Sequence, residues 1–174
     1  DGFREDDFEA IMFKKARFCN TFSIVVTLGI LRTFLPEKKS AQRLRVLDSS
    51  AGWGDRLIAS LIYGCEYVGT DPSECMRPVY KEIVDTLEPT NPSRVIQTGF
   101  ETYTDLTENS FDIAVTSPPF FDLEEYEKDN SNQSTSTFAT EDEWFDNFLC
   151  VLITKNIFAI KEECYFILYI TLKK

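Results

Sequence analysis

The stretch from residue 45 to residue 71, "RVLDSSAGWGDRLIASLIYGCEYVGTD", restricts the fold of this chain more than any other. The short run 45–48 closes an extended segment on an acid, Asp48, and leads into a turn carrying Gly52 and Gly54. The residues that follow place Leu57, Ile58, Leu61 and Ile62 at helical spacing on one face. A second extended run, 66–71, again ends on an acid, Asp71. The pattern is strand, glycine turn, helix, strand.

It continues along the chain. "RPVYKEIVDTL" (77–87) has helical spacing, with Pro78 tolerable in a first turn or at a kink. Residues 93–99 and 111–117 make a third and a fourth strand. A helix opens at the acidic Glu141-Asp142-Glu143 and runs to about Ile160, and "CYFILYIT" (164–171) is a fifth strand. Strands alternating with helices predict an α/β fold, a parallel sheet covered on both faces. Two further helices are expected ahead of the first strand, over 6–18 and 22–35. With 174 residues, 43% of them hydrophobic, the chain suits one compact domain. Within it, residues 1–42 are expected to form an N-terminal helical segment packed on a core of residues 43–174. Residues 128–140, rich in Ser, Thr, Asn and Gln, predict a surface loop, either a lid or a solvated linker.

Composition narrows the chemistry. The chain has no histidine, which removes Ser-His-Asp and Cys-His nucleophilic schemes and metal sites that lean on imidazole. Its five cysteines are odd in number and never spaced as C-x-x-C, so neither a disulfide framework nor a zinc site is indicated, and no metal is expected. No signal-peptide pattern and no apolar run of the roughly 18 residues of a bilayer span is present, so an intracellular protein of the cytoplasm or nucleus is expected. A net charge of −11 points away from a free-standing nucleic-acid binder, because phosphate contacts supply most of that affinity.

The glycine turn lies where open α/β sheets bind ligands, at the carboxyl end of a first strand. A dinucleotide fingerprint would require a third glycine at position 57, which is Leu57, and the P-loop Lys-Ser/Thr pair is absent. Asp71 falls beside the turn, where its carboxylate can accept from two ribose hydroxyls; the competing role is a helix N-cap. After the third strand, Phe100 offers an apolar wall for an adenine ring and Glu101 an acceptor, against an ordinary loop. The fourth strand ends in Ser117-Pro118-Pro119-Phe120. Adjacent prolines remove two N–H donors and fix both φ angles, leaving a stiff segment of carbonyl acceptors. Such acceptors suit an amino group. The Ser117 side chain and the Pro118 carbonyl would receive the two N–H groups of a conjugated amine and aim its lone pair, while Phe120 stacks on the ring.

The order "DSSAGWG", "GTDPS", "TGFE", "FDIAVTSPPF" resembles class I S-adenosylmethionine-dependent methyltransferases over residues 43–171. Ser117-Pro118-Pro119-Phe120 is similar to the [DNS]-P-P-[YFW] motif of amino-methyltransferases that act on adenine N6 or cytosine N4, including DNA methylases assigned in large viruses and phages. The resemblance implies a Rossmann-like, mostly parallel sheet with helices on both faces and S-adenosylmethionine as cofactor. Asp48, Gly52 and Gly54 would border the methionine end of that cofactor, Asp71 its ribose, and Phe100 with Glu101 its adenine; Ser117, Pro118, Pro119 and Phe120 would be the catalytic motif. The β6/β7 hairpin usual in the family is expected to be missing from this chain. The implied substrate is nucleic acid, DNA ahead of RNA, with a missing C-terminal region or a partner subunit supplying binding surface. Two rivals stay open: methylation of a protein glutamine amide, and a non-catalytic subunit that keeps the fold.

Overall fold

The computed structural model describes residues 22–35, 43–119, 121 and 137–170. Five strands, β1 (Arg45–Asp48), β2 (Glu66–Thr70), β3 (Arg94–Ile96), β4 (Phe111–Thr116) and β5 (Ile160–Leu168), form one sheet in the order β3-β2-β1-β4-β5. Every neighbouring pair is parallel. The helices are α1 (Ile24–Phe34), α2 (Asp55–Tyr63), α3 (Arg77–Leu87), α4 (Glu141–Trp144) and α5 (Cys150–Ala159), and a π-helical turn, Phe145–Leu149, joins α4 to α5. The α/β alternation predicts this architecture, and the mostly parallel Rossmann-like sheet is observed. The expected helix over 6–18 and residues 128–136 of the polar stretch lie outside the described residues.

Both faces of the sheet are covered. Val46, Tyr67, Ile113 and Val115 point to one side and pack with Leu31, Leu57, Leu61 and Tyr80 of α1, α2 and α3. Leu47, Val68 and Ala114 point to the other and pack with Trp144, Phe148, Leu149 and Leu152. Successive residues of a strand thus serve opposite cores, which is why the middle of each central strand carries apolar residues on both faces. At about 25 cal/mol per Å², each fully buried Leu or Val contributes roughly 1.5–3 kcal/mol.

Several boundaries differ from expectation. The strand expected at 93–99 stops at Ile96, where the Thr98 amide turns back to the Ile96 carbonyl at 2.9 Å. The last strand starts at Ile160, four positions ahead of Cys164. Its opening residues, Lys161-Glu162-Glu163, look unlike a strand, but β5 is at the sheet edge, where polar side chains keep their water. A register shift between Phe111 and Ile113 marks this segment, and Glu163 has φ 60°. Lys161 Nζ donates to Asp112 Oδ1 at 2.6 Å and ties the shifted stretch to β4. The helix expected over 141–160 is interrupted by the π-helical turn. Its start follows the sequence signal: the Thr140 hydroxyl accepts from the Glu143 amide at 3.2 Å, and Glu143 Oε2 accepts from the Ala139 amide at 3.0 Å. On α2 the buried set is Arg56, Leu57, Ala59, Ser60 and Leu61, whereas Ile62 is exposed. The inward face is rotated from the purely apolar stripe because Arg56 has a buried partner.

Candidate functional site

Strand order reverses between β1 and β4: β2 and β3 extend to one side and β5 to the other. Loops leaving the carboxyl ends of parallel strands diverge at such a point and leave a crevice. The turns after β1 and β4 flank that crevice, and those after β2 and β3 lie beyond β1 on the same sheet edge. The sequence-predicted positions Asp48, Gly52, Gly54, Asp71, Phe100, Glu101, Ser117, Pro118 and Pro119 all fall on or next to these four turns. Phe120 lies outside the described residues.

Asp48 is wholly buried and is the meeting point of the crevice floor. Arg56 Nε and the Tyr67 hydroxyl each donate to its Oδ2 at 2.6 Å. The Thr116 hydroxyl, at 3.0 Å, and the Ser50 amide, at 3.1 Å, donate to Oδ1. Arg56 also donates to the Ser50 carbonyl and stands over the Phe22 ring, 5.1 Å from its centroid. One carboxylate therefore ties together β1, β2, β4, α2 and the glycine turn. Burial pushes the Tyr67 hydroxyl well up from its ordinary pKa, and the neighbouring Asp48 charge adds to this, so Tyr67 stays a donor. The resemblance sets Asp48 at the methionine end of a cofactor; the structure places its carboxylate beneath the turn, engaged by the protein's own donors. Tyr67 reaches Asp48 across Gly69: a Cβ at position 69 would lie 2.7 Å from Tyr67 Cε1 and 2.9 Å from its hydroxyl oxygen.

The glycine turn is held from three sides. The Ala51 amide donates to the Thr70 carbonyl at 2.9 Å, the Gly52 amide to Asp71 Oδ2 at 2.8 Å, and the Tyr80 hydroxyl to the Gly52 carbonyl. Gly52 and Gly54 have φ of 58° and 87°, left-handed values that favour glycine. They differ in surroundings. A Cβ at Gly54 would press on Ile83 Cδ1 at 3.0 Å, whereas at Gly52 the nearest atom is the Ser50 carbonyl oxygen at 3.8 Å. Gly54 thus serves packing against α3, whereas a Cβ at Gly52 would meet no more than an ordinary van der Waals contact. Trp53 between them is 43% exposed.

Asp71 receives the Gly52 amide on one oxygen and the Ser73 amide, at 2.9 Å, on the other. It is not the N-cap of α3, a position held by Met76. A carboxylate has about four acceptor positions; the two amides take two of them, and the Tyr80 hydroxyl is a further hydrogen-bond partner close by. Burial raises the Asp71 pKa above its ordinary 3.8, the two amides work against that, and Asp48 adds to it. Tyr80 is pushed up by burial and then by the Asp71 and Asp48 charges.

After β3, residues 99–103 wind into a tight double turn, with the Thr102 amide donating to the Gly99 carbonyl and the Tyr103 amide to the Phe100 carbonyl, both at 3.2 Å. Phe100 is 1% exposed and packs in the second core with Leu47, Trp144 and Leu152, so its ring belongs to the core and not to an open wall. Glu101 remains partly exposed. Lys155 of α5 donates to the carbonyls of Glu101 at 2.6 Å, Tyr103 at 2.9 Å and Phe100 at 3.1 Å. Burial lowers the Lys155 pKa and the Glu101 charge partly restores it. The next residue, Asn156, is fully buried and donates to Ser49 Oγ at 3.1 Å and the Leu152 carbonyl at 2.8 Å. At the end of β4, Pro118 is buried while Ser117 and Pro119 are partly exposed.

Sequence reasoning missed Arg56, Tyr67, Tyr80, Thr116, Lys155 and Asn156. Arg56 left a signal, a charge directly beside Leu57 on the inward helix face. The others left none, because each is defined by a partner distant in sequence. Among the described residues no group of three or more His, Cys, Asp or Glu side chains is placed to hold a metal ion, and no helix is long and apolar enough to cross a membrane.

No family model and no curated protein matches this sequence. Solved structures do match. The YcgJ protein from Bacillus subtilis is similar at 20% identity and TM-score 0.54, over 83% of this chain and 50% of its own. The PH0226 protein from Pyrococcus horikoshii is similar at 20% identity and TM-score 0.54, over 98% of this chain and 63% of its own. An S-adenosylmethionine-dependent methyltransferase from Thiobacillus denitrificans, solved with S-adenosyl-L-homocysteine, is similar at 17% identity and TM-score 0.52, over 88% of this chain and 51% of its own. The chain thus spans between half and two thirds of the length of these proteins, and with its β3-β2-β1-β4-β5 parallel sheet it has their fold.

Proposed function

We propose that this chain binds S-adenosylmethionine along the carboxyl edge of its sheet and transfers the methyl group to an exocyclic amino nitrogen of a nucleic acid base, adenine N6 or cytosine N4, in DNA ahead of RNA. The observation that carries the reading is convergence. The glycine turn and the Ser117-Pro118-Pro119 exit follow the two strands that meet at the switch point, β1 and β4, and Asp71 and Glu101 follow the next two strands on one side. The fold match to a methyltransferase solved with the demethylated cofactor supports it.

The residues present fit such a cofactor. Gly52 offers backbone where even a Cβ would meet no more than an ordinary contact, and Asp71 keeps acceptor capacity for a ribose hydroxyl beyond its two amides. When bound, S-adenosylmethionine supplies a methyl group activated by its sulfonium. This chain's part is to hold and orient. Asp71 binds the ribose, the Ser117 hydroxyl and Pro118 carbonyl accept the N–H groups of the amine so that its lone pair is aimed, and Phe120 supplies the stacking face. Positioning of this kind lowers a barrier through pre-set geometry.

Methylation of a protein glutamine amide is the second reading, favoured by the net charge of −11, which repels a phosphate backbone. Incubation of the protein with S-adenosylmethionine labelled in the methyl group and a panel of DNA, RNA and protein acceptors tests both. Label in adenine or cytosine supports the first reading, label in protein amide the second. Calorimetry showing no affinity for cofactor or its demethylated product in well-folded protein overturns both and leaves a non-catalytic subunit.

A further inference from the structure

Lys155 spends all three N–H donors of its ammonium on backbone carbonyls of one turn, those of Phe100, Glu101 and Tyr103. A surface lysine gains little from such a posture and gives up side-chain entropy to hold it. The turn it clamps carries Glu101 and comes from an element 52 to 55 residues away in sequence. A second feature converges on the same side chain. The Glu101 carboxylate folds back over Gly99, where a Cβ would stand 2.3 Å from Oε1 and 2.7 Å from Oε2. Gly99 has no left-handed φ, so its backbone does not require glycine; the space is required by the carboxylate. One residue therefore fixes the main chain under Glu101, and another leaves room for its oxygens.

We propose that Lys155 and Gly99 are positioning residues that pre-set the Glu101 carboxylate to read the 6-amino group of the cofactor's adenine. This rests on the cofactor reading above. Glu101, held as an acceptor, takes a hydrogen bond from an amino group and meets a carbonyl oxygen at that position with repulsion, so the pair tunes discrimination between nucleosides and not overall affinity alone. The test compares S-adenosylhomocysteine with its inosine counterpart, in which oxygen replaces the 6-amino group. Calorimetry of the wild type should show preference for the adenosine form of at least about tenfold. Lys155→Met and Gly99→Ala should each bring the two affinities to within about threefold, chiefly by weakening the adenosine form, and Lys155→Arg should recover most of the preference. Gly99→Ala is the safer variant, because the clash falls on the free end of a side chain and leaves the backbone intact. It decides the matter alone if Lys155→Met does not fold. A wild type that binds both nucleosides equally, or variants that keep the full preference, would overturn this assignment and leave the cofactor reading standing. A folded wild type that binds neither nucleoside overturns both.

Discussion

The β1–β2–β4 floor and the α4–α5 segment, both of which border the candidate site, are built to opposite standards. In the floor, the Asp48 carboxylate is satisfied from four sides, and its buried charge is matched by Arg56 at 2.6 Å. In the segment, the chain passes through a π-helical turn, and the two buried side-chain atoms without a hydrogen-bond partner among the described residues, Trp144 Nε1 and Asn156 Oδ1, lie on either side of it. An unsatisfied buried polar atom costs about 1–3 kcal/mol. The floor leaves its central carboxylate fully partnered. The segment keeps unused bonding capacity at a kind of helical irregularity frequently found at functional sites. The contrast is between a floor whose bonding is complete and a neighbouring helical segment that holds Ser49 and the Glu101 turn while leaving two of its own buried polar atoms unpaired among the described residues.

The largest effect should come from unbalancing the floor. Asp48→Ala strands a buried arginine, and urea denaturation should show a loss of about 3–5 kcal/mol. The double variant Asp48→Leu with Arg56→Met should cost clearly less than the sum of the single changes, since no lone charge remains. A strictly additive result would mean that Asp48 is not the tie between these elements.

Asp71→Ala comes next, and it separates binding from folding. Calorimetry should find S-adenosylhomocysteine weakened by about 1–3 kcal/mol through loss of a charged acceptor. An unchanged affinity would remove Asp71 from the cofactor site. On the acceptor side, Pro118→Ala and Phe120→Ala should lower turnover at least about tenfold, a barrier change of roughly 1.4 kcal/mol. Cofactor affinity should stay within about threefold in both. Loss of stability and cofactor binding together, with normal turnover per folded molecule, would show that the prolines only end a strand.

The smallest effect concerns pH. Burial raises the Asp71 pKa in the folded chain above its ordinary 3.8. Just above that value the folded state binds more protons than the unfolded state, so stability falls as pH rises through the window. Asp71→Asn should flatten this slope, and thermal unfolding at a series of pH values checks the sign.

Much of the fold was legible because each strand of the sheet's middle is a short apolar run closed by a turn signal. Asp48 and Asp71 stood out as acids ending such runs, and Gly52 and Gly54 as the break between strand and helix. The start of β5 was hidden because an edge strand does not have to be apolar, so Lys161-Glu162-Glu163 carries no strand pattern. Phe100 looked like a ligand wall because nothing local says that α5 covers it. Lys155 left no signal for the same reason: its carbonyl partners belong to a turn that only the tertiary fold brings near.

Gly69 leaves a mark that comparative sequencing can read. Its missing side chain is the passage through which Tyr67 reaches Asp48, so position 69 cannot drift while the tyrosine is kept. Descendants of this gene that replace Tyr67 with a shorter residue are released from the glycine, and those that keep the tyrosine are bound to it. Position 69 should therefore depart from glycine only where position 67 has lost its tyrosine.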